Sequence, residues 1–186
     1  MRSITMTAAI LTFGLVACGS PENEEATAEP AATETTAAAP MEAVATLQTA
    51  EGQPAGTATA TASGDQVMIA LNVQNLPAGE HGVHVHMTGL CEGPAFESAG
   101  GHWNPTEQTH GLEDPQGQHA GDMPNLTVAE DGTGTLEYAL EGGATFDGLM
   151  DADGSAFMVH AGRDDQTTDP SGDSGGRIAC GVFQAG

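Results

Sequence analysis

Seven histidines are spread over this chain, and three of them fall in the six-residue run HGVHVH, His81 to His86. A β-strand sends successive side chains to opposite faces. His84 and His86 then project together, while His81 shares the other side with Val83 and Val85. Two neighbouring imidazoles can offer two nitrogens to one metal ion. Taken alone, the pair fits the polar face of a strand equally well, and His81 reads as a structural, hydrogen-bonded residue. The remaining histidines are His102, His110, His119 and His160, and Asp122 follows His119 by three positions. Imidazole nitrogens with one carboxylate suit zinc or copper rather than calcium or magnesium, which prefer all-oxygen sites.

Donors so far apart need elements that bring them together. The run QVMIALNVQ alternates cleanly and puts Val67, Ile69, Leu71 and Val73 on one face. AVATLQTA, TATATAS, TGTLEYAL, AFMVHA and RIACGVF read as further short strands, and SGD, PAGE, EDGTG and DADGS as turns. No stretch keeps a helical period with caps. An antiparallel all-β sandwich or barrel over residues 42–186 is expected. Two connectors, about 88–125 and 161–176, are long. Loops of that length in a compact domain are functional or tied down. Cys91 and Cys180 could tie the first to the last strand as a disulfide, the usual state of an even pair in an exported protein. Two free thiols are the alternative.

Export is read from the N-terminus. MRSITMTAAILTFGLVACGS carries Arg2, an apolar run too short to span a bilayer comfortably, and then LVAC. LVAC resembles a bacterial lipobox, which makes residues 1–17 a lipoprotein signal peptide and Cys18 the acylated N-terminus, a membrane anchor without a spanning helix. Ordinary signal cleavage near Ala17 is the alternative. Gly19, with no aspartate beside the cysteine, favours an outer-membrane address in the periplasm. The tract to residue 41 is rich in Ala, Thr, Glu and Pro and nearly lacks large apolar side chains, so residues 18–41 read as a flexible acidic tether. The whole chain has 26 acidic residues against three arginines and no lysine. That balance excludes nucleic acid as a partner and argues against docking on anionic headgroups.

The blocks GEHGVHVHMTGLC, SAGGHWNP, HG at His110, HAGDMPNL, MVHAGRDD and GGRIACGVF, in this order, resemble the copper,zinc superoxide dismutases, especially the exported bacterial type. The resemblance implies an eight-stranded antiparallel Greek-key β-barrel with two long functional loops. It implies one copper and one zinc ion per subunit. Copper would be held by His84, His86, His102 and His160, and zinc by His102, His110, His119 and Asp122. His102 would bridge the two as an imidazolate and serve as a catalytic residue. Asp164 would hydrogen-bond His84 and His110, Arg177 would guide the superoxide anion, and Cys91 and Cys180 would form the intrasubunit disulfide. His81 would be structural. The implied reaction is dismutation of superoxide to dioxygen and hydrogen peroxide, protecting the cell envelope. Monomers and homodimers both fit. A non-enzymatic copper-binding relative and a tethered adhesion module are the rival readings, and the complete residue set speaks against both.

The acidic surface bears on this substrate. Residues 42–186 hold two arginines and 21 carboxylates, a formal charge of −19. Superoxide is repelled at long range, and only Arg177, the metals and a candidate Arg163 counter this locally. A rate below the diffusional ceiling, rising with salt, is expected.

Overall fold

The computed structural model describes residues 41–186. The signal segment, Cys18 and the tether before Met41 lie outside the described residues. Nine antiparallel strand segments carry the fold: β1 (Glu42–Thr49), β2 (Pro54–Ser63), β3 (Gln66–Val73), β4 (Gly79–His81), β5 (Val83–His86), β6 (Leu126–Val128), β7 (Gly134–Leu140), β8 (Ala156–His160) and β9 (Arg177–Ala185). Among the described residues one short α-helix, α1 (Phe146–Leu149), is capped by the Thr145 hydroxyl, which accepts from the Gly148 N–H, and Glu97–Ala99 form a 3-10 turn. A seven-stranded sheet runs β5-β8-β9-β1-β2-β3-β7, and β4 pairs with β6 in a second, two-stranded sheet. Only Gly82 separates β4 from β5, and β6 packs beside β7. The sheet therefore curls round toward closure, and counting β4–β5 as one bent strand gives eight.

Period-two patterning fills the interior. Val67, Ile69 and Leu71 of β3 are buried, and β2 turns Ala58 and Ala60 inward while its threonines face out. Alanines at 43, 45, 58, 60 and 179 leave room for Leu47, Ile69, Leu71, Phe157 and Leu126, the alternation of small and large side chains that fills a small barrel. Val83, Val85, Phe157 and Val159 join this core. Their strand neighbours His84, His86, Met158 and His160 therefore point out of the barrel. These residues are buried too, because the long loops cover that face.

The first long loop seals an edge. Val85 N–H donates to Gly121 O and Trp103 N–H to Val85 O, both at 2.9 Å, so residues 102–103 and 121–122 line β5 where a further strand would pair. Cys91 and Cys180 are bonded across 5.7 Å of Cα separation and tie this loop to β9. The second loop lies against Gly82, between β4 and β5, where a β-carbon would come within 2.9 Å of the Ser174 Cβ and 3.1 Å of the Asp164 Cβ. Glycine is needed there for close approach.

Candidate metal centre

Two strands, a bulge and the covering loop bring four imidazoles to one point. His84 and His86 stand on β5. His160 ends β8, where the register against β9 slips between Val159 and His160 and re-aims the side chain. His102 lies in the loop, in a backbone bridge with His86. One ligating atom from each of these four residues lies within 4.8 Å of all the others.

The hydrogen bonds show which atoms these are. His86 Nδ1 is 2.9 Å from Gly100 O and His160 Nδ1 3.2 Å from Gly175 O. A carbonyl oxygen can only accept, so each ring carries its proton on Nδ1 and presents a bare Nε2. His84 Nε2 lies 2.6 Å from Asp164 Oδ2, which leaves Nδ1 bare. Those three atoms, together with His102 Nε2, are buried and have no hydrogen-bond partner. Buried polar atoms are seldom left unpaired. Four of them converging without a protein donor is the chemistry of a cation site built from nitrogen.

A second set meets at the other side of His102. Asp122 Oδ1 is 2.9 Å from His102 Nδ1, 3.1 Å from His110 Nδ1 and 3.3 Å from His119 Nδ1. His119 Nδ1 and His102 Nδ1 are 3.4 Å apart. A tetrahedral zinc with bonds of about 2.0–2.1 Å has ligand atoms about 3.3–3.4 Å apart, so the spacing fits that ion. The His84 ring also comes close to this set because it stacks on His102 with centroids 3.9 Å apart. Its nitrogens are committed elsewhere, and His119 fills the fourth corner. Asp122 is itself fixed, since its Oδ2 accepts the N–H groups of Gly111 and His119.

Asp164 links the two sets. Its Oδ2 takes His84 and its Oδ1 takes His110 Nε2 at 3.1 Å. Asn125, absent from the sequence expectations, clamps the Asp164 backbone in both directions: its amide donates to Asp164 O and its Oδ1 accepts Asp164 N–H, each at 2.8 Å. Gly172, with φ of 61°, presses on Asp164 and His110, and a side chain there would collide with Asp164 Oδ1.

Protonation follows from these contacts. Burial, then the neighbouring His102, lowers His86 to about 2, and burial lowers His160 to about 4. Burial likewise holds His84 well below, and His102 below, the usual imidazole value. Neutral rings are what a metal requires. Burial opposes charge on Asp122, yet hydrogen bonds from His102, His110 and His119 outweigh it and hold the carboxyl well below the ordinary range. The same balance, won by His110 and His84, keeps Asp164 ionised.

The first set opens to solvent through a mouth of about 460 Å³ lined by His86, His102, His160, Asp169 and Arg177 among others. Arg177 donates to Phe96 O and Gly100 O, both at 2.6 Å, which pins its guanidinium beside His86. Arg163 is elsewhere. Its Nε pairs with Glu80 Oε2 at 3.3 Å on the surface, neither with Asp164 nor with Asp165, and it does not line the mouth. His81 gives no atom to either set; its nitrogens lie 2.7 Å from His160 O and 2.9 Å from Pro77 O.

The family model described as copper/zinc superoxide dismutase (SODC) matches residues 54–183. A Cu-Zn superoxide dismutase of Caulobacter vibrioides is 39% identical over 148 residues, covering 76% of this chain and 85% of that protein. Among solved structures, a double mutant of a superoxide dismutase-like protein from Bacillus subtilis superposes with a TM-score of 0.68 at 39% identity, over 75% of this chain and 95% of that one. The Cu/Zn superoxide dismutase of Brucella abortus superposes with a TM-score of 0.62 at 26% identity, over 77% and 99%.

Proposed function

The chain belongs to the copper/zinc superoxide dismutase family, and from that membership we propose that it dismutes superoxide at a binuclear centre in which His102 is shared between copper and zinc. It is an oxidoreductase of the Cu-Zn superoxide dismutase type. The observation that carries the assignment of residues is the pattern of unpaired nitrogens. His84 Nδ1, His86 Nε2, His102 Nε2 and His160 Nε2 face one another without a donor, and the opposite nitrogen of His102 belongs to the set with His110, His119 and Asp122. Copper is assigned to the first set and zinc to the second.

Copper supplies the one-electron couple that disproportionation needs, and zinc supplies a redox-inert charge. The chain supplies the rest. Arg177 binds the anion at the mouth: it stays protonated although burial lowers its pKa, and its two carbonyl partners fix where the charge points. His102 is placed to hold a proton at Nε2, facing the mouth, and to give it to the reduced product. Asp164 sets ring orientation in both halves, as outer carboxylates do for ligating histidines. Gly100 O orients His86 and Arg177 together, so one carbonyl couples the substrate-binding group to the metal-binding group.

The finer placement is also proposed. LVAC supports Cys18 as a lipidated N-terminus, which puts the domain in the cell envelope on a tether, where it would remove superoxide arising outside the cytoplasm.

A dismutase assay on protein loaded with both metals tests the reading, with His102→Ala as the control. Activity in the wild type and its loss in the variant support the shared ring; equal activity in both would contradict it.

A further inference from the structure

Five of the six site histidines have both ring nitrogens accounted for. His84 and His110 use Asp164, His86 uses Gly100 O, His160 uses Gly175 O, and His102 uses both nitrogens for the two sets. His119 is the exception. Its Nδ1 faces the Asp122 carboxylate; with zinc in that place on Nδ1 the ring proton sits on Nε2, which has no hydrogen-bond partner among the described residues. The nearest carboxylate is Asp169, with Oδ1 3.9 Å away. The same Oδ1 accepts the backbone N–H of His110 at 2.9 Å. Asp169 is held in a tight turn in which Thr168 O accepts the N–H groups of Ser171 and Gly172. A single oxygen of the second long loop thus reaches two residues of the first.

We propose that Asp169 is the positioning carboxylate of the zinc half: it holds His119 through the outer ring nitrogen, directly or through one water, while fixing the backbone of His110. A gap of 3.9 Å is too long for a direct bond in this geometry, and one bridging water or a small rotation of an exposed side chain spans it. Orienting partners of this kind carry about 10–100-fold of metal affinity. Asp169 also lines the mouth, so the second long loop, which runs into Arg177 at the start of β9, is stapled to His110 by this residue. The inference rests on zinc occupying the set with His110, His119 and Asp122.

The test is zinc titration of the metal-stripped full chain against a chelator of known affinity, for wild type, Asp169→Asn, Asp169→Ala and His119→Ala. Asp169→Ala is expected to bind zinc about 10–100-fold more weakly than wild type. Asp169→Asn should fall between, because an amide oxygen can still accept from His110 but accepts less strongly than a carboxylate. The His119 Nε2–H proton resonance should move in both. Asp169→Ala with wild-type zinc affinity, while His119→Ala is weakened, would overturn this inference alone. So would a drop in the melting temperature of the metal-free variant without a change in zinc affinity. Failure of the wild type to bind zinc would overturn the metal assignment, and this inference with it.

Discussion

Raising the pH from 7 to 9 should tighten zinc binding by the metal-free protein about 50-fold. The reason is a proton that occupies the metal's place. His110 has both ring nitrogens against carboxylates, Nδ1 at 3.1 Å from Asp122 Oδ1 and Nε2 at 3.1 Å from Asp164 Oδ1. Burial opposes charge on this ring, but the hydrogen bonds to Asp122 and Asp164 outweigh it and raise the pKa from 6.5 to about 9. That shift corresponds to about 3 kcal/mol favouring the imidazolium. The sign follows directly. A raised folded-state value stabilises the metal-free fold fully below 6.5, and that contribution is lost as pH climbs through about 9. Zinc needs Nδ1 without its proton, so at pH 7 binding must expel one. Apparent affinity then rises about tenfold per pH unit and levels off above the pKa. Calorimetry of zinc binding in buffers of different ionisation enthalpy reads the proton count, and chelator competition across the same range reads the slope. One proton released per zinc at pH 7 and none near pH 10 is expected. Zinc affinity independent of pH between 7 and 9 would refute the reasoning.

Other outcomes follow from the same geometry. Arg177→Ala should lower kcat/KM for superoxide about 10–100-fold, the value of a charge-assisted hydrogen bond of about 1.5–3 kcal/mol, with metal content unchanged by elemental analysis. The dismutase rate should rise when salt is added, because the formal charge of −19 on residues 42–186 repels the substrate and Arg163 is paired with Glu80 instead of facing the mouth; stopped-flow rates at increasing ionic strength check this. Replacing Cys91 and Cys180 by serine opens a loop of 89 residues in sequence separation, and denaturant unfolding should show a loss of up to about 4–5 kcal/mol.

Much of the site was legible because strand parity is a strict rule. His84 and His86 lie outside the barrel and Val83 and Val85 inside, as alternation requires, and His81 contributes to neither donor set. The spacing of HGVHVH could go no further alone. The distant partners were reached through the family resemblance, since nothing local in the sequence says that residues 84, 102 and 160 meet. What stayed hidden has backbone causes. Gly100 and Gly175 orient His86 and His160 through carbonyl oxygens, which every residue has, so no side chain marks the positions. The bulge that re-aims His160 is a register slip between two strands far apart in the chain. Leu126–Val128 is too short for a period to show, and Asn125 next to it reads as an ordinary turn residue until the Asp164 backbone is placed against it. Arg163 found Glu80 because β4 lies beside the loop after β8, a neighbour relation no sequence pattern carried.

The most direct test of a shared His102 is the copper EPR spectrum of the full chain loaded first with one equivalent of copper, then with one of zinc. A ring held at both nitrogens changes its donor strength when the second ion arrives. The spectrum should therefore show several nitrogen ligands and shift on zinc addition, and the shift should vanish in His102→Ala. A copper spectrum unaltered by zinc in the wild type would contradict the binuclear centre.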